Sequence, residues 1–194
     1  MINPEVRIDT EEMEAITVKN AKDWGKIPSD ADDQIVDDMI KAVRQLQEEW
    51  TMRSFIEKTL TANWSSLGTD RSIELPFGPV RSIESIKRVF ADGTLSDAMV
   101  AGTDYFITGM DFQTVNLYQV WQSAGAIQTG LRVAYTVGHG TGEGLVTLPG
   151  PLRQCMLRHV TTDYDMRDDL EVYNPILYDW TKEALTPYKR RTWL

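Results

Sequence analysis

The side chains able to do chemistry are few, and their spacing fits no reaction centre. His139 and His159 are the only histidines in the 194 residues, so a histidine-held metal would need carboxylates from elsewhere to complete its shell. His159 falls on the apolar side of a helical stretch, where a histidine buried in a core or interface is expected. His139 stands in Gly138-His139-Gly140-Thr141-Gly142-Glu143-Gly144. That run has the glycines of a phosphate loop without its Lys-Ser/Thr pair, and the next apolar run ends at Pro149 with no helix start to cradle an anion. It reads as a mobile loop between the last strand and the third helix. Cys155 is the only cysteine, which excludes an intrachain disulfide and a cysteine-based metal site. It lacks a local activator, and no serine sits in a nucleophile elbow.

Carboxylates are abundant, so a glycosidase-like pair is not excluded by sequence. They cluster, however, as Asp30, Asp32, Asp33, Asp37 and Asp38, and as Asp163, Asp165, Asp168 and Asp169. Both groups lie near helix ends, where solvation or compensation of the helix dipole is the ordinary role. A calcium loop over 163–171 lacks its glycine and falls in a helical segment. The expectation is a protein without an enzymatic centre, metal or cofactor.

The elements that position these residues read in blocks. Residues 1–16 are polar and contain a proline, as in an arm. Thr17 is a candidate N-cap for a short helix with Val18, Ala21 and Trp24 on one face, ended by Gly25 and Pro28. Ser29 to Asp33 open a longer helix whose apolar residues Ile35, Met39, Val43, Leu46 and Trp50 recur at helical spacing. From about Phe55 to Thr147 the period changes to that of strands. Runs around Thr59–Trp64, Ile73–Leu75, Val80–Phe90, Tyr105–Ile107, Val115–Leu117 and Leu131–Val137 alternate with turn chemistry, including the hairpin signal Asp92-Gly93.

Helices return with Pro149 and Pro151, followed by Leu152, Met156, His159 or Val160, and Tyr164 on one side. Asn174-Pro175 suggests a cap and first helical residue for the last helix, with Ile176, Leu177, Trp180, Leu185 and Tyr188 as its stripe. The predicted fold is α+β: a bundle of about four helices (17–52 with 149–188) and an antiparallel β domain (53–148) inserted between helices two and three. Residues 189–194 form a basic tail carrying Trp193, whose composition suits either a frayed end or an interface anchor.

Composition bounds the partners. A net charge of −9 repels phosphate, against a general nucleic-acid or anionic-membrane binder. The single cysteine fits folding in a reducing cytoplasm. Residues 1–14 lack a signal-peptide pattern, and no stretch approaches the roughly 20 apolar residues of a membrane span.

In order and spacing the chain resembles the head–tail connectors (adaptor or head-completion proteins) of tailed double-stranded-DNA phages, in the branch with a β insertion between helical pairs. The matching pieces are Thr17-Val18-Lys19-Asn20-Ala21-Lys22, Asp30 to Trp50, Ile73-Glu74-Leu75-Pro76 and Pro79 to Ile86 with the Asp92-Gly93 turn. They continue through Asp104-Tyr105, Leu131 to Gly140, Leu148-Pro149 leading into Leu152-Arg153, and Leu185 to Arg190. The resemblance spans about residues 17–190.

It implies a virion structural protein of the neck, made in the host cytoplasm. Twelve copies would form a ring that binds the portal protein after DNA packaging, extends the DNA channel and offers a platform to the next neck, stopper or tail protein. Contact with passing DNA would be passive. The C-terminal tail (Tyr188, Lys189, Arg190, Arg191, Thr192, Trp193 and Leu194) is the portal-binding candidate by the same resemblance. Asp30, Asp32, Asp33, Asp37 and Asp38 are candidates for lining the channel or touching the next ring. The rival readings are a carboxylate-based hydrolase of the virion, another neck component such as a stopper or tail-completion protein, and a soluble α+β domain with a small-molecule partner.

Overall fold

A computed structural model describes residues 4–11, 14–28, 30–65, 71–118, 128–140, 147–167 and 177–190. The fold is α+β, and the chain divides into two compact units. One takes in 1–12 with 57–138 and the other 13–56 with 139–194.

The β unit holds two antiparallel sheets. Strands β1 (Glu5–Glu11), β2 (Lys58–Trp64), β4 (Val80–Phe90) and β7 (Gln128–Val137) form the larger, in the order β1-β2-β7-β4. Strands β3 (Ser72–Glu74), β5 (Tyr105–Thr108) and β6 (Thr114–Leu117) form the smaller, in the order β3-β6-β5. Leu60, Ala62, Ile86, Leu131, Val133 and Tyr135 are among the side chains of its core, and the Tyr135 hydroxyl donates to the Pro76 carbonyl at 2.7 Å. Gly130 is required where β7 meets β2, because a Cβ there would overlap the Trp64 carbonyl oxygen.

Three expectations change here. Residues 1–16 do not stand off as an arm: Glu5–Glu11 pair with Asn63–Lys58 of β2, with a bulge between Ile8 and Thr10. The segment reads as polar because it is an edge strand, with most of its side chains exposed. The Asp92-Gly93 turn forms, with Gly93 at φ 83° and the Phe90 N–H donating to the Thr94 carbonyl, but the returning chain makes an isolated bridge from Leu95 to Val89 and single bonds from Ser96 and Met99 to the Arg88 and Ile86 carbonyls instead of a second strand. The lasting partner of β4 is β7. His139, expected in a mobile loop, is buried; residues 141–146 of that run lie outside the described residues.

The helical unit is built from α1 (Val18–Gly25), α2 (Asp33–Thr51), α3 (Gly150–Met166) and α4 (Asp179–Leu185). Thr17 caps α1 through a reciprocal pair with Asn20, each side chain bonding the other's backbone N–H at 3.1 Å. Lys26 then ends that helix in the left-handed conformation. Gly25 admits α3 closely, since a Cβ would lie 2.6 Å from Thr161 Cγ2. The core gathers Ala21, Val36, Met39, Ile40, Val43, Leu152, Met156, Leu157, Val160 and Leu185.

The buried face of α2 differs from the predicted stripe. Val36, Met39, Ile40 and Val43 are buried, followed by Arg44, Gln47, Glu48 and Thr51, whereas Ile35 is exposed and Leu46 and Trp50 are half-buried. The face turns polar because polar partners meet it: Glu14 bonds Arg44, and His159 bonds Gln47. Trp24, expected to share the apolar face of α1, is 51% exposed. The last helix begins at Asp179, with Tyr178 extended at its N-cap position, and Pro187 lies in a closing 3-10 turn, Thr186–Tyr188. Asn174, Pro175 and Ile176 fall outside the described residues.

Candidate functional site

At the acidic end of α2 the five aspartates are not a bare negative surface. Lys22 of α1 reaches Asp30 at 2.5 Å and Asp33 at 2.6 Å. These bonds hold the Asp30 carboxyl below its usual range and raise the Lys22 ammonium, the Asp30 hydrogen bond being the largest cause. Asp37 pairs with Lys41 at 2.6 Å one turn on. Asp32 accepts the Tyr164 hydroxyl at 2.5 Å, which raises that phenol, and Asp38 accepts from Gln34 at 3.2 Å. Five carboxylates against two lysines keep the region acidic while fixing where each carboxylate points.

A buried polar seam runs along the second half of α2. Arg44 is 1% exposed and donates to Glu14 at 2.8 and 3.0 Å and to Glu48 at 2.9 Å. The other Glu48 oxygen accepts the Phe55 N–H at 2.6 Å, tying the turn after α2 to the helix. One turn away, Gln47 Nε2 lies 3.1 Å from His159 Nδ1. The His159 ring is wholly buried, meets Tyr178 and Trp180 edge-on, and has Asp163 Oδ1 3.7 Å from Nε2. Burial raises the Asp163 carboxyl, while His159 and the Tyr178 hydroxyl, donating at 2.8 Å, pull it back. The Tyr178 phenol is pushed up to about 12 by burial first and this bond second. His159 is therefore a core histidine, as its helical position predicts. Its partner Gln47 left no sequence signal beyond being a polar residue on a helix.

Of the predicted tail, Tyr188, Lys189 and Arg190 lie in the described part of the helical unit. Arg53 Nε donates to the Tyr188 carbonyl at 2.6 Å, the Lys189 ammonium sits 4.3 Å from the centre of the Trp50 ring, and the Arg190 N–H donates to the Thr51 carbonyl at 3.0 Å. The tail thus leaves from the C-terminal end of α2. Arg191, Thr192, Trp193 and Leu194 lie outside the described residues.

No group of three or more His, Cys, Asp or Glu side chains among the described residues is arranged to hold a metal ion. No helix among them is long and apolar enough to cross a membrane. Burial in α3 pushes the Cys155 thiol up to about 11, away from nucleophilic use at neutral pH.

No protein family and no curated protein matches the sequence. The fold is similar to that of three chains in solved structures of gene transfer agent (GTA) particles. One is in the neck of an empty particle computed with C6 symmetry: 15% identity, TM-score 0.76, covering 98% of this chain and 97% of that one. Another is in the virion of a native particle: 15% identity, TM-score 0.73, covering 97% of each chain. The third is in the neck of a native particle computed with C12 symmetry: 14% identity, TM-score 0.67, again covering 97% of each.

Proposed function

We propose that the chain is a structural subunit of a virion neck, a head–tail connector that works by joining copies of itself into a ring. The observation that carries this reading is that the likeness to neck chains embraces both units, over 98% of this chain and 97% of the other. A shared single domain would leave the assembly context open. Agreement over the length of both units favours a shared role.

The finer reading is a twelve-fold ring beneath the portal, in line with the C12 symmetry of one similar neck. Copies in such a ring meet through two different faces at a fixed rotation. In this reading the ring extends the DNA channel and offers a platform to the next neck protein. The tail from Tyr188 to Leu194 binds the portal, with its root held by Arg53, Thr51 and Trp50. Twelve weak tails act together through effective concentration. The carboxylates Asp30, Asp32, Asp33, Asp37 and Asp38 line the channel or face the next ring, where they repel DNA phosphates.

The test images the full chain together with its particle's portal protein. A ring of this chain under the portal is expected; a chain that stays single and absent from the neck ends the reading. Removing residues 191–194, after the Arg190 contact to α2, should leave the ring intact and abolish portal attachment. Unchanged attachment would remove the tail from the proposal.

A further inference from the structure

We infer that the smaller sheet continues from copy to copy around the ring: β5 of one copy adds in parallel to β3 of the next, with Ile107 beside Ile73. This rests on the neck reading above and assigns part of the contact between neighbouring copies.

The two edges of that sheet match in their backbone. On the β3 side the Leu117 N–H donates to the Arg71 carbonyl and the Leu75 N–H to the Gln113 carbonyl. With Ile73 opposite Val115, both are bonded pairs of the β3–β6 ladder. By the alternation of antiparallel ladders, Ile73 also bonds inward to β6, and the N–H and C=O of Ser72 face outward. On the β5 side the Tyr118 N–H donates to the Asp104 carbonyl. Phe106 therefore bonds inward to Asn116, and the N–H and C=O of Ile107 face outward. Among the described residues nothing takes up these groups of Ser72 and Ile107.

In a parallel pair, a residue whose N–H and C=O face the partner strand lies opposite one that bonds away from it. Ile107 opposite Ile73 of the next copy meets that condition, and the Ile107 N–H then donates to that copy's Ser72 carbonyl. The side chains agree. Ile73, Val115 and Ile107 form one row across the sheet and are 5%, 0% and 39% exposed. The row is open only at its β5 end, where the next copy's Ile73 carries it on. The lengths agree as well. Gly102 already bonds the Tyr105 carbonyl, which leaves Phe106 to Thr108 against the three residues of β3.

Symmetry selects this pairing. β3 and β5 run the same way, each antiparallel to β6, and a rotation that carries the sheet onto its own continuation keeps strand direction. Two β5 edges, or two β3 edges, would meet antiparallel about a two-fold axis and close a dimer. The β5–β3 contact is heterologous and propagates until the ring shuts, leaving this sheet without an edge. The larger sheet offers no such match. Its β1 edge carries the exposed charges Glu5, Arg7 and Asp9 and a bulge, and β4 is met by its own chain at Ser96 and Met99.

A disulfide tests the register. Ser72 and Phe106 of adjoining copies would lie opposite each other, about 5 Å apart at Cα, whereas within one copy β6 stands between them and holds them about 10 Å apart, beyond a disulfide's reach. Both positions are exposed, so cysteines there should leave the fold intact. The full chain with Ser72→Cys and Phe106→Cys is assembled with the portal protein under reduction, and the rings are then oxidised. Covalent multimers extending past the dimer are expected, and neither single variant should give them. Rings that yield only monomers, or only the dimers that Phe106→Cys or Ser72→Cys gives alone, overturn the inference and leave the neck reading standing. Failure of the unsubstituted chain to form rings would overturn the neck reading, and the inference with it.

Discussion

At the scale of single residues, Cys155 offers a clean measurement. Its thiol is pushed up to about 11 in the folded chain against 9.0 ordinarily, because burial disfavours the thiolate. As pH rises the unfolded chain loses this proton first. The stability contributed is therefore complete below pH 9 and is lost as pH climbs to the folded value. A displacement of that size is worth at most about 3 kcal/mol. Urea titrations below and above the window should show a steeper fall for the parent than for Cys155→Ala; parallel falls would mean the thiol ionises freely in the folded chain. His159 was legible because it lies on the apolar side of a predicted helix. Gln47, Glu14 and Tyr178 were not, since what makes them matter is a partner up to 112 residues away.

For the elements, apolar periodicity located α2 but set its buried face one residue off. The rule equates burial with apolarity, and α2 breaks it where Arg44 finds Glu14 and Glu48, and Gln47 finds His159. The faces are separable by substitution. Ile40→Ala, in the core, should cost about 2–5 kcal/mol, and Leu46→Ala, half-buried, about 1 kcal/mol. Equal costs would restore the face predicted from spacing. Arg44→Ala should cost more than its loss of volume suggests, about 3–5 kcal/mol, because it takes the guanidinium away from both Glu14 and the buried Glu48. Adding Glu48→Gln to that variant should recover part of the loss in chemical denaturation; a simple sum of the two losses would show that the pair does not act as one.

For the whole molecule, β2 to β7 and the helices were legible in order, but the first strand and the weaving of the chain were not. Residues 1–12 belong with 57–138, so the chain begins in the β unit, builds the first helices and then returns. No local pattern announces this, because an edge strand whose polar side chains face water has the composition of an arm. Its hold on β2 is largely main-chain pairing, with Val6 against the core and the Thr61 hydroxyl donating to Asp9 at 2.5 Å. Deleting residues 1–11 from the full chain should therefore weaken the β unit by an amount on the order of 3 kcal/mol, a few net hydrogen bonds' worth. The helical unit has its own core and should not feel the change. Hydrogen exchange separates the outcomes: amides of β2 and β7 should lose protection while those of α2 and α3 keep theirs. Equal loss in both would mean that the first strand supports the molecule as one cooperative body, and no loss that the pairing of Glu5–Glu11 contributes nothing.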